Sequence, residues 1–302
     1  LTGPAPLSTF PSMDATGEPA PDSLPQAGSL VRRHRLSTRL WHWINAVTLL
    51  VMLMSGLMIF NAHPMLYWGQ YGANYDHPWL KISSARTGTH EFGYLQIGQV
   101  RVETTGTLGL WRDPQGQIQR HAFPGWTTIP SRYSLSIARI WHLAFAWVLA
   151  VGLLLYLLVS LANRHLQRDI HIRRSEWHPR HLAREIADHA RLRFPQGAAA
   201  LRYNALQKIS YAGVLFGLLP LMILTGLAMS PGTDAWFPLA AEVFGGRQSA
   251  RSVHFLCAFA LVAFVIVHLA MVLLAGPINE LRGMVTGWYR LPGTPESKGP
   301  EA

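Results

Sequence analysis

Four runs of the chain are apolar for long enough to cross a hydrocarbon core, which takes roughly 20 residues of helix. They cover residues 40–60, 137–162, 209–229 and 253–275. Within each run the apolar residues are continuous and are not spread at amphipathic spacing, so every side of the helix is suited to lipid or to another helix. The pattern predicts an all-α membrane protein, a four-transmembrane-helix bundle. With their flanks the predicted spans are residues 31–60, 137–162, 206–229 and 250–275.

Polar stretches fill the rest. The longest connection, residues 61–136, alternates in VRVETT and carries the turn sequence DPQG at 113–116, so a small β-hairpin is expected there. Aromatic stretches such as MLYWGQY and FPGW flank it, and Tyr67, Trp68, Tyr71 and Trp126 are candidates for a docking surface. A connection of this length usually has a function. No internal repeat of the whole chain is visible.

Basic residues orient the bundle, because cytoplasmic flanks retain Lys and Arg during insertion. RRHRLSTR precedes the first span, and the arginine-dense loop 163–205 separates the second from the third. Both termini and this loop are therefore assigned to the cytoplasm, and residues 61–136 and 230–249 to the outside. Residues 1–30, rich in Pro, Ala, Gly and Ser, read as a disordered cytoplasmic tail without the apolar core of a signal peptide, and 276–302 as a second tail.

Composition agrees. Of 302 residues, 49% are hydrophobic and 14% charged, as suits a membrane protein. The formal charge of +10 comes largely from the cytoplasmic flanks. Insertion topology accounts for it better than nucleic-acid binding, for which no motif is present. The single cysteine, Cys257, excludes an intramolecular disulfide and a four-cysteine iron-sulfur site, and the lack of CxxCH excludes covalent c-type haem.

Histidines supply the chemistry. His254 and His268 stand fourteen residues apart in the fourth span, SVHFLCAFALVAFVIVHLA. That is about 21 Å of rise and about 40° short of four turns, so they share a face at two membrane depths. Intramembrane ionisable groups mark a ligand site or pathway, and interhelical hydrogen bonding is the plainer alternative. His42 lies near the cytoplasmic end of the first span and His142 near the outer end of the second. Depth therefore pairs His142 with His254 and His42 with His268. Facing neutral imidazoles suit the two axial positions of haem iron, giving two b-type haems, one near each face.

Smaller features fit this arrangement with alternatives open. Gly56, fourteen residues after His42, would leave room for the outer macrocycle, though close helix packing explains it equally well. For Gly213 and Gly217, packing is the better explanation. Arg39, Arg139 and Arg251 each precede a candidate ligand by three residues, at the level of haem propionates, where snorkelling to the interface is the alternative. His165, His171, His178, His181 and His189 in the middle loop lack compact metal-ligand spacing and read as part of a solvated basic face.

RLWHWINA followed by MSGLMIF, the WH of the second span, RYNALQKISY, LTGLAM and the fourteen-residue histidine pair together resemble the diheme b-type cytochrome subunits of formate dehydrogenase, nickel-iron hydrogenase and thiosulfate-reductase-like complexes, grouped with bacterial cytochrome b561. The resemblance covers about residues 32–290. It implies His42 and His268 on the cytoplasmic-side haem and His142 and His254 on the outer one. It also implies quinone exchange at the start of the third span, where Tyr203, Asn204, Gln207 and Lys208 offer hydrogen-bonding groups. Helix capping and interfacial anchoring explain those four residues equally well.

The expected function is an inner-membrane electron conduit between an extracytoplasmic redox subunit, a molybdopterin oxidoreductase or else a hydrogenase, and the quinone pool. No nucleotide fingerprint or catalytic triad is present, so substrate chemistry falls to the partner. A free-standing cytochrome b561-type superoxide:quinone oxidoreductase is the alternative.

Overall fold

The computed structural model describes residues 28–72, 76–163, 178–191, 205–237 and 239–291. The proline-rich tail through residue 27, most of the middle loop including Tyr203 and Asn204, and the chain beyond 291 lie outside the described residues.

In chain order the elements are β1 (Leu30–Arg32), α1 (Leu36–Ala62), β2 (Met65–Leu66), β3 (Leu80–Thr87), β4 (His90–Ile97), β5 (Val100–Glu103), β6 (Trp111–Arg112) and β7 (Ile118–Gln119). Then follow α2 (Leu135–Ala162), α3 (Pro179–Ala190), α4 (Ala205–Ala212), α5 (Leu219–Met229), α6 (Pro231–Trp236), α7 (Leu239–Glu242), α8 (Arg247–Ala275), α9 (Pro277–Thr286) and β8 (Trp288–Arg290). Among the described residues four helical spans are long and apolar enough to cross a membrane: Leu36–Ala62, Leu135–Ala162, Ala205–Met229 and Arg247–Ala275.

The third span is not uniform. Gly213–Leu218, between α4 and α5, is a π-helical turn. Pro220 follows it, and proline lacks an N–H and crowds the carbonyl four residues back, which widens the turn before it. Among the described residues a Cβ at Gly213 or Gly217, where close packing is expected, would meet nothing within 4 Å.

The chain packs as two units. The larger comprises residues 40–163 and 211–268. Its connection between α1 and α2 holds more than the expected hairpin. β2, β3, β4 and β5 form one antiparallel sheet in that order. The VRVE segment is its edge strand, paired with β4, while the DPQG turn joins the separate two-stranded β6–β7. Gly88 and Gly98 take positive φ in the tight turns before and after β4, where other residues would be strained. Leu66, Leu80, Ile82, Ala122 and Phe123 close a core on Phe60, at the end of α1. Asn61 fixes that end: its Nδ2 donates to the Phe123 carbonyl at 3.0 Å and its Oδ1 accepts from the Phe123 N–H at 2.7 Å.

The start of α8 is tied to the same connection. The N–H groups of Gln248 and Ser249 donate to the Gly69 carbonyl, both at 3.1 Å, and the Ser252 hydroxyl donates to the Tyr67 carbonyl at 2.6 Å. Satisfied first-turn N–H groups let the helix begin at Arg247, six residues before the purely apolar run.

The second unit draws on residues 1–39, 164–210 and 269–302. β1 pairs antiparallel with β8. Arg33 forms an ion pair with Glu280 at 3.1 Å and lies over the Tyr289 ring. Glu185 of α3 accepts from the N–H groups of Ala205 and Leu206, capping α4.

Candidate functional site: two histidine pairs

α2 carries His142 and α8 carries His254, and their ring centroids stand 6.2 Å apart with planes at 62°. Nδ1 of His142 lies 3.1 Å from the Met52 carbonyl oxygen and 3.1 Å from Ser55 Oγ. A carbonyl only accepts, so Nδ1 carries the hydrogen and Nε2 keeps its lone pair. Nδ1 of His254 lies 2.9 Å from Thr225 Oγ1.

The second pair repeats the spacing. His42 on α1 and His268 on α8 have centroids 6.2 Å apart and planes at 57°. The Trp43 ring meets His42 edge-on at 5.0 Å, and Phe264 stacks on His268 at 6.0 Å. Nδ1 of His42 and Oδ1 of Asn45 are buried without a hydrogen-bond partner among the described residues.

These dimensions suit a metal between each pair. Two nitrogen–metal bonds of about 2 Å and two ring radii of about 1.1 Å in line put the centroids about 6.2 Å apart. Each pair offers only two ligands, and among the described residues no group of three or more His, Cys, Asp or Glu gathers as an ion site. A bare ion would want three or four protein donors. A haem iron wants two, because the macrocycle supplies the rest. Glycines let both rings lie close to the neighbouring helices: a Cβ at Gly56 would stand 3.3 Å from Cε1 of His142, and one at Gly226 would stand 3.6 Å from Cε1 of His254.

The arginines lie in different settings. Arg251 is committed to the α1–α2 connection, where its guanidinium reaches the carbonyls of His63 and Met65 and lies over the Phe60 ring at 5.6 Å. Arg39 donates to the Val285 carbonyl at the end of α9. Arg139 is exposed near the start of α2. Gln207 and Lys208 lie on α4 and both make interactions, while Tyr203 and Asn204 fall outside the described residues. Of the aromatic surface candidates, Tyr67 is displaced: it is 3% exposed and its hydroxyl points to Met65 Sδ, whereas Trp68, Tyr71 and Trp126 are exposed.

Ser55, Thr225 and Gly226 were not singled out as site residues by the sequence reading. Their signal was a short repeat, Met-x-x-Ser/Thr-Gly-Leu, at residues 52–57 and 222–227.

The chain belongs to the prokaryotic cytochrome b561 family, whose profile matches residues 33–287. It is similar to a putative protein-methionine-sulfoxide reductase subunit YedZ1 of Azospira oryzae, 34% identical over 140 residues, which is 44% of this chain and 64% of that protein. It is also similar to the putative cytochrome YdhU of Escherichia coli, 36% identical over 92 residues, 30% of this chain and 33% of that one. The protein is thus an integral membrane cytochrome of this family, and b-type haem is the cofactor the family implies.

Proposed function

We propose that the chain binds two b-type haems, one through His142 and His254 and the other through His42 and His268, and carries electrons across the membrane between an outer redox subunit and quinone. The observation that carries this is the recurrence of one 6.2 Å ring separation in two pairs, with His254 and His268 on the same helix. Bound haem supplies a one-electron carrier that no side chain of this protein provides. The imidazoles bind and orient it, and the apolar helix faces exclude water from it.

Lys and Arg place both termini and the loop after α2 in the cytoplasm, so the sheet-bearing connection faces outward. His142 and His254 then form the outer pair. Between His254 and His268 the helix rises about 21 Å, a large part of the hydrocarbon core. Crossing the whole membrane potential changes the energy of one charge by about 2.3 kcal/mol per 100 mV, so the direction of flow decides whether the step conserves or releases energy.

The outer partner is a redox protein that docks on the connection, a molybdopterin oxidoreductase before a hydrogenase. The description of the YedZ1 relative as a reductase subunit supports the existence of such a partner. Quinone is exchanged at the start of the third span, where Tyr203, Asn204, Gln207 and Lys208 supply donors and acceptors for its carbonyls.

Reconstituted protein tests this reading. A quinol analogue should reduce the haem in a reaction blocked by quinone-site inhibitors and slowed in Asn204→Ala and Lys208→Ala. Inhibitor bound beside His142 and His254 would contradict the placement and make the electron path electrically short.

A further inference from the structure

Residues 52–57, MLMSGL, on α1 and 222–227, MILTGL, on α5 share one pattern, and each lies against a different histidine of the outer pair. The two hydroxyls are fully buried, Ser55 and Thr225 both at 0% exposure. Each is back-bonded to its own helix: Ser55 Oγ donates to the Val51 carbonyl at 2.7 Å, and Thr225 Oγ1 to the Leu221 carbonyl at 2.7 Å. A hydroxyl has one hydrogen and two lone pairs. With the hydrogen so used, the oxygen meets the imidazole as an acceptor, 3.1 Å from Nδ1 of His142 and 2.9 Å from Nδ1 of His254.

The neighbours match as well. The Met52 carbonyl stands 3.1 Å from Nδ1 of His142, and the carbonyls of Met52 and Met222 lie 3.2 Å and 3.1 Å from the hydroxyls of Ser55 and Thr225. The glycine after each hydroxyl lets the ring pack close against the helix backbone, where a Cβ would stand 3.3 Å from Cε1 of His142 or 3.6 Å from Cε1 of His254. The same local device therefore serves two histidines from two different helices. On the other pair, Nδ1 of His42 has no such acceptor among the described residues.

We propose that Ser55–Gly56 and Thr225–Gly226 are matched positioning pairs that hold His142 and His254 in the Nδ1–H tautomer, turn both Nε2 lone pairs to the shared site, and lower the reduction potential of the haem bound there. Donating the Nδ1 hydrogen leaves more electron density on the imidazole and makes it a stronger ligand, and outer hydrogen bonds of this kind are worth tenfold to a hundredfold in metal affinity. A stronger donor favours the oxidised, more positive iron. This inference rests on the proposal that the outer pair ligates haem.

The test compares Ser55→Ala, Thr225→Val and their combination with the hydroxyl-preserving Ser55→Thr and Thr225→Ser. Redox titration of the purified protein resolves the two b-type couples, and low-temperature electron paramagnetic resonance reads the ligand field of each oxidised centre. The double variant should raise the outer couple by at least about 59 mV, a tenfold change in the reduced-to-oxidised ratio at fixed potential, and should leave the inner couple in place. Hydroxyl-preserving variants should return the parental potential and spectrum. Unmoved potentials in variants that keep both haems would overturn the proposal and leave the hydroxyls a purely helical role. Loss of the outer haem in Ser55→Ala upholds it only if Ser55→Thr retains that haem at the parental potential, and loss from both variants overturns it. Separately, His142→Ala with unchanged haem content would defeat the assignment of the pair itself, and this role with it.

Discussion

The indole nitrogen of Trp79 donates to the hydroxyl of Ser252 at 3.0 Å, two residues before His254. The same hydroxyl donates to the Tyr67 carbonyl, so one buried oxygen joins the α1–α2 connection to the helix that carries His254. Ser252→Ala would leave both partners unsatisfied, at a cost of about 1–3 kcal/mol. The variant should show a lower Tm and faster proteolysis within residues 63–134, with helical circular dichroism retained. A parental Tm and parental proteolysis would contradict the latch.

The exposed aromatics of the connection form a docking face in this account. Trp68, 56% exposed, stacks on Trp79 at 5.7 Å, while Tyr71 and Trp126 are 80% and 82% exposed. Aromatic anchors of an interface each contribute about 2 kcal/mol or more, so Trp68→Ala and Trp126→Ala should each weaken binding of a copurifying redox subunit by about thirtyfold or more. Partner-driven haem reduction should fall in step, with the haem spectrum unchanged. Unimpaired binding would contradict the docking face, and absence of any copurifying subunit together with superoxide oxidation by the protein alone would favour a free-standing enzyme.

His121 gives the α1–α2 connection a pH dependence. Its ring stacks on Tyr133 at 4.7 Å and 6°, and burial lowers its pKa below the ordinary histidine value. The unfolded chain takes up the proton first as pH falls. The contribution of His121 is therefore present above about pH 6.5 and lost as pH drops through the lowered folded value. Thermal unfolding between pH 7.5 and 5, on the order of that window, should show a Tm decline that His121→Phe reduces. An identical decline in the variant would contradict the assignment.

The four helices were legible in the sequence because lipid leaves a spanning segment few alternatives to a helix. The fourteen-residue separation of His254 and His268 was legible because helical geometry converts it directly into a shared face. The start of α8 was not. The predicted span opens at residue 250, whereas the helix opens at Arg247, with Ser249 and Ser252 buried against a connection distant in sequence. The sheet was only partly legible, because β3, LKISSART, buries only Leu80 and Ile82 and lacks a sustained alternation. Ser55 and Thr225 were passed over because small hydroxyl residues in a membrane helix read as packing. Their partners, His142 and His254, stand on other helices, and a single chain carries no mark of that contact. The π turn had one visible cause, Pro220, whose effect on the preceding turn depends on the rest of the bundle.

The pairing of histidines is the central claim, and haem content measures it most directly. Pyridine-haemochrome analysis of the purified protein should give two haems per chain for the parent, and one for His142→Ala and for His254→Ala, with the same haem lost from both. His42→Ala and His268→Ala should share the complementary loss. Equal haem content in all four variants and the parent would contradict the account, as would a loss pattern that groups His142 with His42.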